Sequence, residues 1–591
     1  MSSSPAARRG RSLGSNPASS FRRFCMRAPS LASGVAAAVA CSCASPLDDY
    51  ESDYLPRVPA SRVRSIEALE LSAYASPLPE EKETSQAEAL AKPPDPFAGM
   101  ERVPLTLEQN RAWTLANNLN LKVALVDPVI ANETLSEEEA RFEWVFFGSA
   151  REARFDQPSD SRLDSNQFTS TDVEMGVRIP LRSGGTATVE LPFNRSETDN
   201  EFDTLSPSYA GDVRFSISQP LLRGAGRRAN LHGIRIARLE NDIVQAQTNL
   251  EVIRQLAEAD RVYWRLYRAE RILEVRQQQY DLALAQLERA RRRVAAQVDP
   301  EVEIIRAEAG LASQLEQIII AENDVRNAQR DLKRIVNQPG LEMESPVVIE
   351  IANEPDPVYL NLDEEALVAA ALDTRMEMLE LELRLAQDLS TIDFQKNQAL
   401  PLFTLDYAYT INGLGASVGE AATMVHDKNF EDWSVGVSVE APLGNEAAES
   451  RVHRAILQRL QRLSTKEDRK QQIRQEVLTA VDQVRAAWQR ILAARQNVLA
   501  AARTLRAEEK QYEVGARTST EVLDAQTRLA DAQASEIAAL VDYQVAQIDL
   551  AFATGMLMGA ARVEWTPRDP RGALDAFGDD PARQPKVERT N

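Results

Sequence analysis

Apolar residues recur at every seventh position along two long stretches of this chain, and the two stretches are in register. Leu266, Leu273, Tyr280, Leu287 and Val294 form the first series, and Val484, Ile491, Val498, Leu505 and Tyr512 form the second. A shift of 218 carries one onto the other. It also carries Leu311 onto Leu529, and Ala328-Gln329-Arg330-Asp331-Leu332 onto Ala546-Gln547-Ile548-Asp549-Leu550. A seven-residue apolar period keeps one seam of a helix against a neighbour, which is the coiled-coil condition. The spacing predicts helices over 229–296 and 446–513, each roughly 100 Å long at 1.5 Å per residue. A compact core needs no such length. The pattern reads as part of something tubular or rod-like, built twice.

Ahead of each long helix the period changes to two. Segments 145–155, 172–181, 186–193 and 213–219 alternate in the first repeat, and 402–411 and 433–440 in the second. Val173, Met175, Val177 and Ile179 face one way, and Glu174 and Arg178 the other. Ser183-Gly184-Gly185 is a hairpin signal. The segments 194–209 and 412–431 read as long polar loops. Strands of about ten residues with alternating faces suit a membrane β-barrel, while a soluble antiparallel sheet is the alternative for any single hairpin. The first repeat carries an extra hairpin, so the count per chain is four or six. Both strand regions end in Pro-Leu, at Pro220-Leu221 and Pro442-Leu443. Both begin after an amphipathic helix, ending near Glu143 and near Leu400. These helices start alike, Leu105-Thr106-Leu107-Glu108 matching Leu360-Asn361-Leu362-Asp363, and Pro128 should break or kink the first.

Each long helix turns back abruptly. At the second tip Gly515 can adopt the left-handed geometry that stops a helix, and Thr518 with Glu521 forms a capping box for the return. At the first tip Gln297 stands where Gly515 aligns. There Asp299 is the expected N-cap, with Pro300 at the first helical position.

Composition removes other readings. Only 24 glycines and 6% aromatics accompany the Ala, Leu, Arg, Glu and Gln of the periodic regions, a mix that favours long helices. The net charge of −21 argues against nucleic acid. Arg291-Arg292-Arg293, after Glu288, reads as a solvated helix face. Cys25, Cys41 and Cys43 are the only cysteines, and His232, His426 and His453 are scattered, so neither a disulfide framework nor a metal site is expected. The glycines of Leu222-Arg223-Gly224-Ala225-Gly226 lack the third Gly of a dinucleotide fingerprint and the Gly-Lys-Ser/Thr of a phosphate loop. No cofactor and no enzyme activity is expected.

The N-terminus carries an address. Arg22, Arg23 and Arg27 precede the small apolar run 31–40, a secretory pattern. Ala38-Val39-Ala40-Cys41 resembles a lipobox, which would make Cys41 a lipidated first residue, and an ordinary signal peptide cut nearby is the alternative. Met26 is a candidate start. No run reaches about 18 apolar residues, so a membrane crossing must use strands. The division expected is a signal peptide with lipobox over 1–41, a Pro-rich periplasmic linker over 42–100, repeats over 101–340 and 358–560, and a tail over 561–591.

Helix, strands, Pro-Leu, long helix, tight turn and returning helix, twice over, resemble the TolC family of outer-membrane efflux proteins across about 103–560. The sharpest part is the second tip, Tyr512-Glu513-Val514-Gly515-Ala516-Arg517-Thr518-Ser519-Thr520-Glu521-Val522-Leu523-Asp524-Ala525. The resemblance implies a mostly α fold with a membrane β-barrel portion. Three copies would pool strands into one barrel and helices into a tunnel across the periplasm, meeting a periplasmic adaptor and an inner-membrane pump of RND or ABC type. It implies a gate of Tyr512 and Arg517, with Glu303 as the first repeat's acidic partner, and entrance rings of Glu521 and Asp524. Ordinary solvated charge near a helix start is the alternative for these acids. The function expected is a passive, gated exit duct for efflux or type I secretion. The rival from another class is a soluble periplasmic coiled-coil scaffold or adaptor.

Overall fold

The computed structural model describes residues 97–158, 165–200 and 202–561. The chain divides into two units, Met1–Thr84 and Ser85–Asn591, and all described residues belong to the second. The leader, Cys41, almost all of the linker and all but the first residue of the tail lie outside the described residues.

The elements of the first half are β1 (Arg102–Leu105), α1 (Leu107–Asn117), α2 (Leu119–Ala124), α3 (Asp127–Ala140), β2 (Val145–Asp156), β3 (Gln167–Pro180), β4 (Thr186–Thr198), β5 (Ser208–Gly211), β6 (Val213–Pro220), α4 (Arg227–Asn230), α5 (His232–Ala295) and α6 (Val302–Val336). Next come β7 (Val348–Ile351), α7 (Glu364–Thr374), α8 (Met376–Gln398), β8 (Leu402–Ile411), β9 (Leu414–Gly415), α9 (Val418–His426), β10 (Glu431–Glu440), α10 (Glu446–Glu513), α11 (Ser519–Ala553) and α12 (Leu557–Ala560).

The heptad seam is the core of the helical part. Leu266, Tyr280, Leu287, Val484, Ile491, Leu505 and Tyr512 are all buried, each large apolar side chain contributing about 1.5–3 kcal/mol. Leu266 packs with Val541 and Ile548 of α11 in one cluster, so the seam also joins the two halves.

The helices before the strands are broken more than the pattern predicts. Asn118 ends α1 and caps α2 by accepting from the Leu121 amide at 3.1 Å. Pro128 falls in the first turn of α3, where its missing N–H costs no helical bond. In the second half the break comes at Arg375, with no proline. Its buried guanidinium pairs with Glu377 at 2.6 Å and with Glu476, so an ionic anchor replaces the breaker. The matched helix starts also differ. Thr106 caps α1 in a capping box with Gln109, whereas Asp363, two residues beyond the aligned Asn361, caps α7.

The sheet runs in the order β10-β8-β6-β4-β3-β2, each neighbour antiparallel, with the short β5 and β9 paired off this path. The extra hairpin therefore belongs to the sheet, and six long strands come from one chain. The expected polar loops are partly structured. β4 extends to Thr198, β5 pairs with β9, and α9 occupies the middle of 412–431.

One row of the register reads Phe146, Val177, Val189, Phe215, Tyr409, Trp433. The row one residue away reads Gly176, Glu190, Arg214, Thr410, Asp432. One face is thus apolar and the other ionic. Met175, Val189, Leu191, Phe215, Leu405, Trp433, Val435, Val437 and Val439, all on the apolar face, are exposed. Arg214 and Glu190 stand 3.8 Å apart on the polar face, where Ser218 also donates to Asp406 at 2.6 Å. Apolar outside and polar inside is the division a lipid-embedded barrel requires. Among the described residues no helix is long and apolar enough to cross a membrane.

Candidate gate at the helix tips

Both long helices stop by the same device. The Val298 amide donates to the Arg293 carbonyl at 2.9 Å and the Gln297 amide to the Val294 carbonyl at 2.9 Å. At the other tip the Ala516 amide donates to the Gln511 carbonyl at 2.9 Å and the Gly515 amide to the Tyr512 carbonyl at 3.0 Å. These bonds are related by the 218 shift and form the pair that closes a helix through a left-handed residue. Gly515 has φ +77°, and Gln297 has φ +58° in its place. The expectation that Asp299-Pro300 shapes the first turn in place of a glycine is corrected. Gln297 takes the left-handed geometry itself, at a steric cost glycine avoids.

The expected N-cap is corrected as well. α6 begins at Val302, after Glu301, with no side-chain cap. The Asp299 carboxylate is already engaged by Arg293, which donates from Nε at 2.7 Å and from Nη2 at 3.1 Å. The Tyr512 hydroxyl donates to the same carboxylate at 3.4 Å. Arg293 lies over the Tyr512 ring, 4.9 Å from its centroid, and reaches the Glu513 carbonyl at 3.5 Å. Asp299, Arg293 and the buried Tyr512 thus form one link between the two tips of one chain. Hydrogen bonding to Asp299 holds Arg293 above its ordinary pKa, and burial, then Asp299, pushes the Tyr512 hydroxyl up.

Glu303 makes a second link. It is buried and accepts from the Ser519 amide at 3.2 Å, from the Ser519 hydroxyl, and from Arg306 at 2.6 Å. It bridges α6 to the first residue of α11, and it does not meet Arg517.

Arg517 is engaged within its own half. It donates to Gln511 at 2.9 Å and pairs with Glu508 at 3.3 Å and Glu521 at 2.5 Å. Glu521 completes the capping box with Thr518, whose amide donates to it at 2.8 Å. That amide, then Arg517, holds the Glu521 carboxyl below its ordinary range. Asp524 is exposed one helical turn on. The 218 shift places Arg306 where Asp524 stands, so the first half carries a base, paired with Glu303, where the second carries an exposed acid.

Residues 367–556 match the family model described as outer membrane efflux protein. Outer membrane protein TolC of Vibrio cholerae serotype O1 (strain ATCC 39315 / El Tor Inaba N16961) is 25% identical over 321 residues, 54% of this chain and 70% of that protein. Over these spans the chain is similar to outer membrane efflux proteins. Solved channels share its fold. The Campylobacter jejuni CmeC outer membrane channel superposes with TM-score 0.57 at 14% identity, covering 79% of this chain and 88% of that one. CusC gives TM-score 0.58 at 15% identity, with 79% and 98% covered.

At the tips, sequence reasoning missed Arg293. The arginine run splits on folding. Arg291 pairs with Glu308 at 3.0 Å, Arg292 lies 3.9 Å from Glu288, and Arg293 turns into the tip. The available signal was position, because Arg293 ends a helix two residues before the turn, where its fork can reach a following acid. The β1–β7 pairing was missed too. It is parallel, and it brings β7 beside Glu270, whose carboxylate accepts from Gln329 at 3.5 Å and is favoured by the Ile351 amide. Burial there, further raised by Glu350 and opposed by Ile351, Arg271 and Arg102, pushes the Glu270 carboxyl up to about 7. Only Glu270's spacing could have hinted at this, since it lies between the seam positions Leu266 and Leu273.

Proposed function

We propose that three copies of this chain form a passive exit duct of a tripartite efflux or type I secretion system, shut at the helix tips. The protein resides in the outer membrane and extends into the periplasm. Its family is one of channels, not enzymes. The observation that carries the duct reading is a sheet with one exposed apolar face and one ionic face, joined within a few residues to two helices of 64 and 68 residues. Lipid can cover the first face, water can fill the space behind the second, and the helices have the reach of a periplasmic tunnel.

In this reading the Asp299–Arg293–Tyr512 link and the Glu303–Ser519 link hold the two hairpins of each copy together. Arg517 and Tyr512 hold neighbouring coils closed. Three copies of Glu521 and Asp524 would ring the entrance with acid, favouring cations. A periplasmic adaptor untwists the tips to open them, and the RND or ABC pump behind it selects the cargo. Cys41 is the proposed lipid anchor.

Purified protein in planar bilayers tests the reading. A cation-preferring pore of low resting conductance is expected, together with a heat-modifiable oligomer. A soluble chain that never conducts would return it to the scaffold class.

A further inference from the structure

The six-stranded sheet has two open edges, β2 and β10. Both are long, at 12 and 10 residues, and every residue of β10 is exposed. Open edges of this length cannot persist in lipid, where each unpaired amide or carbonyl costs several kcal/mol. The register tells how they are covered. The row from Phe146 to Trp433 starts one residue inside the inner end of β2 and finishes seven residues inside the inner end of β10. A climb of six residues over five strand spacings is a tilt of about 40°, within the range that closes a barrel. Strand directions alternate from β2 to β10, so β10 of one copy meets β2 of the next antiparallel.

The added hairpin is also fixed at the inner rim. Gly184, φ +95°, lies so close to the β6–α4 turn that a Cβ there would sit 2.1 Å from the Gly224 carbonyl oxygen. The Gly226 amide donates to the Ser183 carbonyl at 2.8 Å. The inner end of β3, and β2 only through its pairing with β3, is therefore tied to the turn after the strand that feeds the long helix.

We propose that β10 of each copy pairs with β2 of the next, so that three copies close a barrel of eighteen strands. This rests on the trimeric duct reading. Continuing the observed climb places Val437 opposite Ala150 of the neighbouring copy, apolar face to apolar face. Such a wall is about half again as wide as one made from four strands per copy, which moves the constriction entirely to the helix tips.

The test is cysteine pairing in the full chain in membranes. Val437→Cys with Ala150→Cys, bridged by a short bifunctional reagent, should give dimer and trimer bands that neither single variant gives. Val437→Cys with Leu191→Cys probes the rival, in which β10 meets β4 and the β2–β3 hairpin lies outside the wall. Bridging of that pair overturns the proposal. So does a heat-modifiable trimer in which Val437→Cys bridges to neither Ala150→Cys nor Gly148→Cys. Loss of every oligomer would instead overturn the duct reading, and this inference with it.

Discussion

The two halves of the chain use the same backbone turn at their tips and opposite chemistry around it. The first half takes the left-handed position with Gln297 and buries its acid, Glu303, between Ser519 and Arg306. The second takes that position with Gly515, ties Glu521 to its own Arg517 and leaves Asp524 exposed. The same backbone serves two tasks. The first half fastens one hairpin of the chain to the other, and in the proposed duct the second would present charge to whatever passes.

The contrast reaches up the helix, and the largest expected effect lies there. Glu270 and Trp488 are related by the 218 shift. Trp488 sits partly buried among Tyr359 and Tyr543, whereas Glu270 is a carboxyl raised to about 7 beneath β7. The folded chain holds this proton more tightly than the unfolded chain does. Stability from it is full below the unfolded carboxylate range and is lost as pH rises through about 7. Glu270→Gln keeps an acceptor for the Ile351 amide and cannot ionise. It should match the parent near the unfolded pKa and exceed it above pH 8 by about 1–3 kcal/mol, measured as denaturation against pH. Equal stability across the range would return Glu270 to an ordinary partly solvated acid.

At the tips, Asp299→Ala removes the acceptor shared by Arg293 and Tyr512. Charge-assisted bonds of this kind contribute about 2 kcal/mol, on the order of 30-fold in an equilibrium. Resting conductance in bilayers should therefore rise by roughly that factor at most. Arg517→Ser, which breaks exposed pairs, should raise it only about two-fold. If Arg517→Ser opens the pore more than Asp299→Ala, contacts between copies outweigh the fastener inside each copy.

This division was legible only in part. The long helices, the strands and the second tip followed from periodicity and turn residues, because each is specified by side chains near in sequence. α10 spans the expected 446–513, and Thr518 and Glu521 cap as their spacing requires. What stayed hidden depends on distant neighbours. Asp299 reads locally as a cap, yet Tyr512, from the other long helix, joins Arg293, six residues back, in claiming its oxygens. The buried link at Arg375 had no breaker residue to announce it, and the parallel β1–β7 pair joins segments about 250 residues apart.

Changing Glu521 and Asp524 together to Ala should lower cation preference about two- to five-fold and weaken block by trivalent ions, with the largest change at low salt, where the charges are least screened. Glu303→Gln should leave selectivity unaltered, since that carboxylate is buried and paired. Equal loss in both would mean that the first half also lines the path, and the two tasks would merge.

The smallest effect tests the turn itself. Gln297 holds φ +58° with a Cβ that a left-handed residue accommodates poorly. Gln297→Gly relieves that crowding but loosens the unfolded chain, and the two terms oppose each other. Relief of a left-handed non-glycine is about 1 kcal/mol and the added chain freedom is slightly less, so a small net gain of a few tenths of a kcal/mol is expected in thermal unfolding. Gly515→Ala reverses both terms, and because the Cβ added at φ +77° costs more than the stiffer unfolded chain recovers, a net loss of up to about 1 kcal/mol is expected. If Gln297→Gly instead costs as much as Gly515→Ala, the glutamine side chain itself holds the first tip, and the two turns share a backbone without sharing a cause.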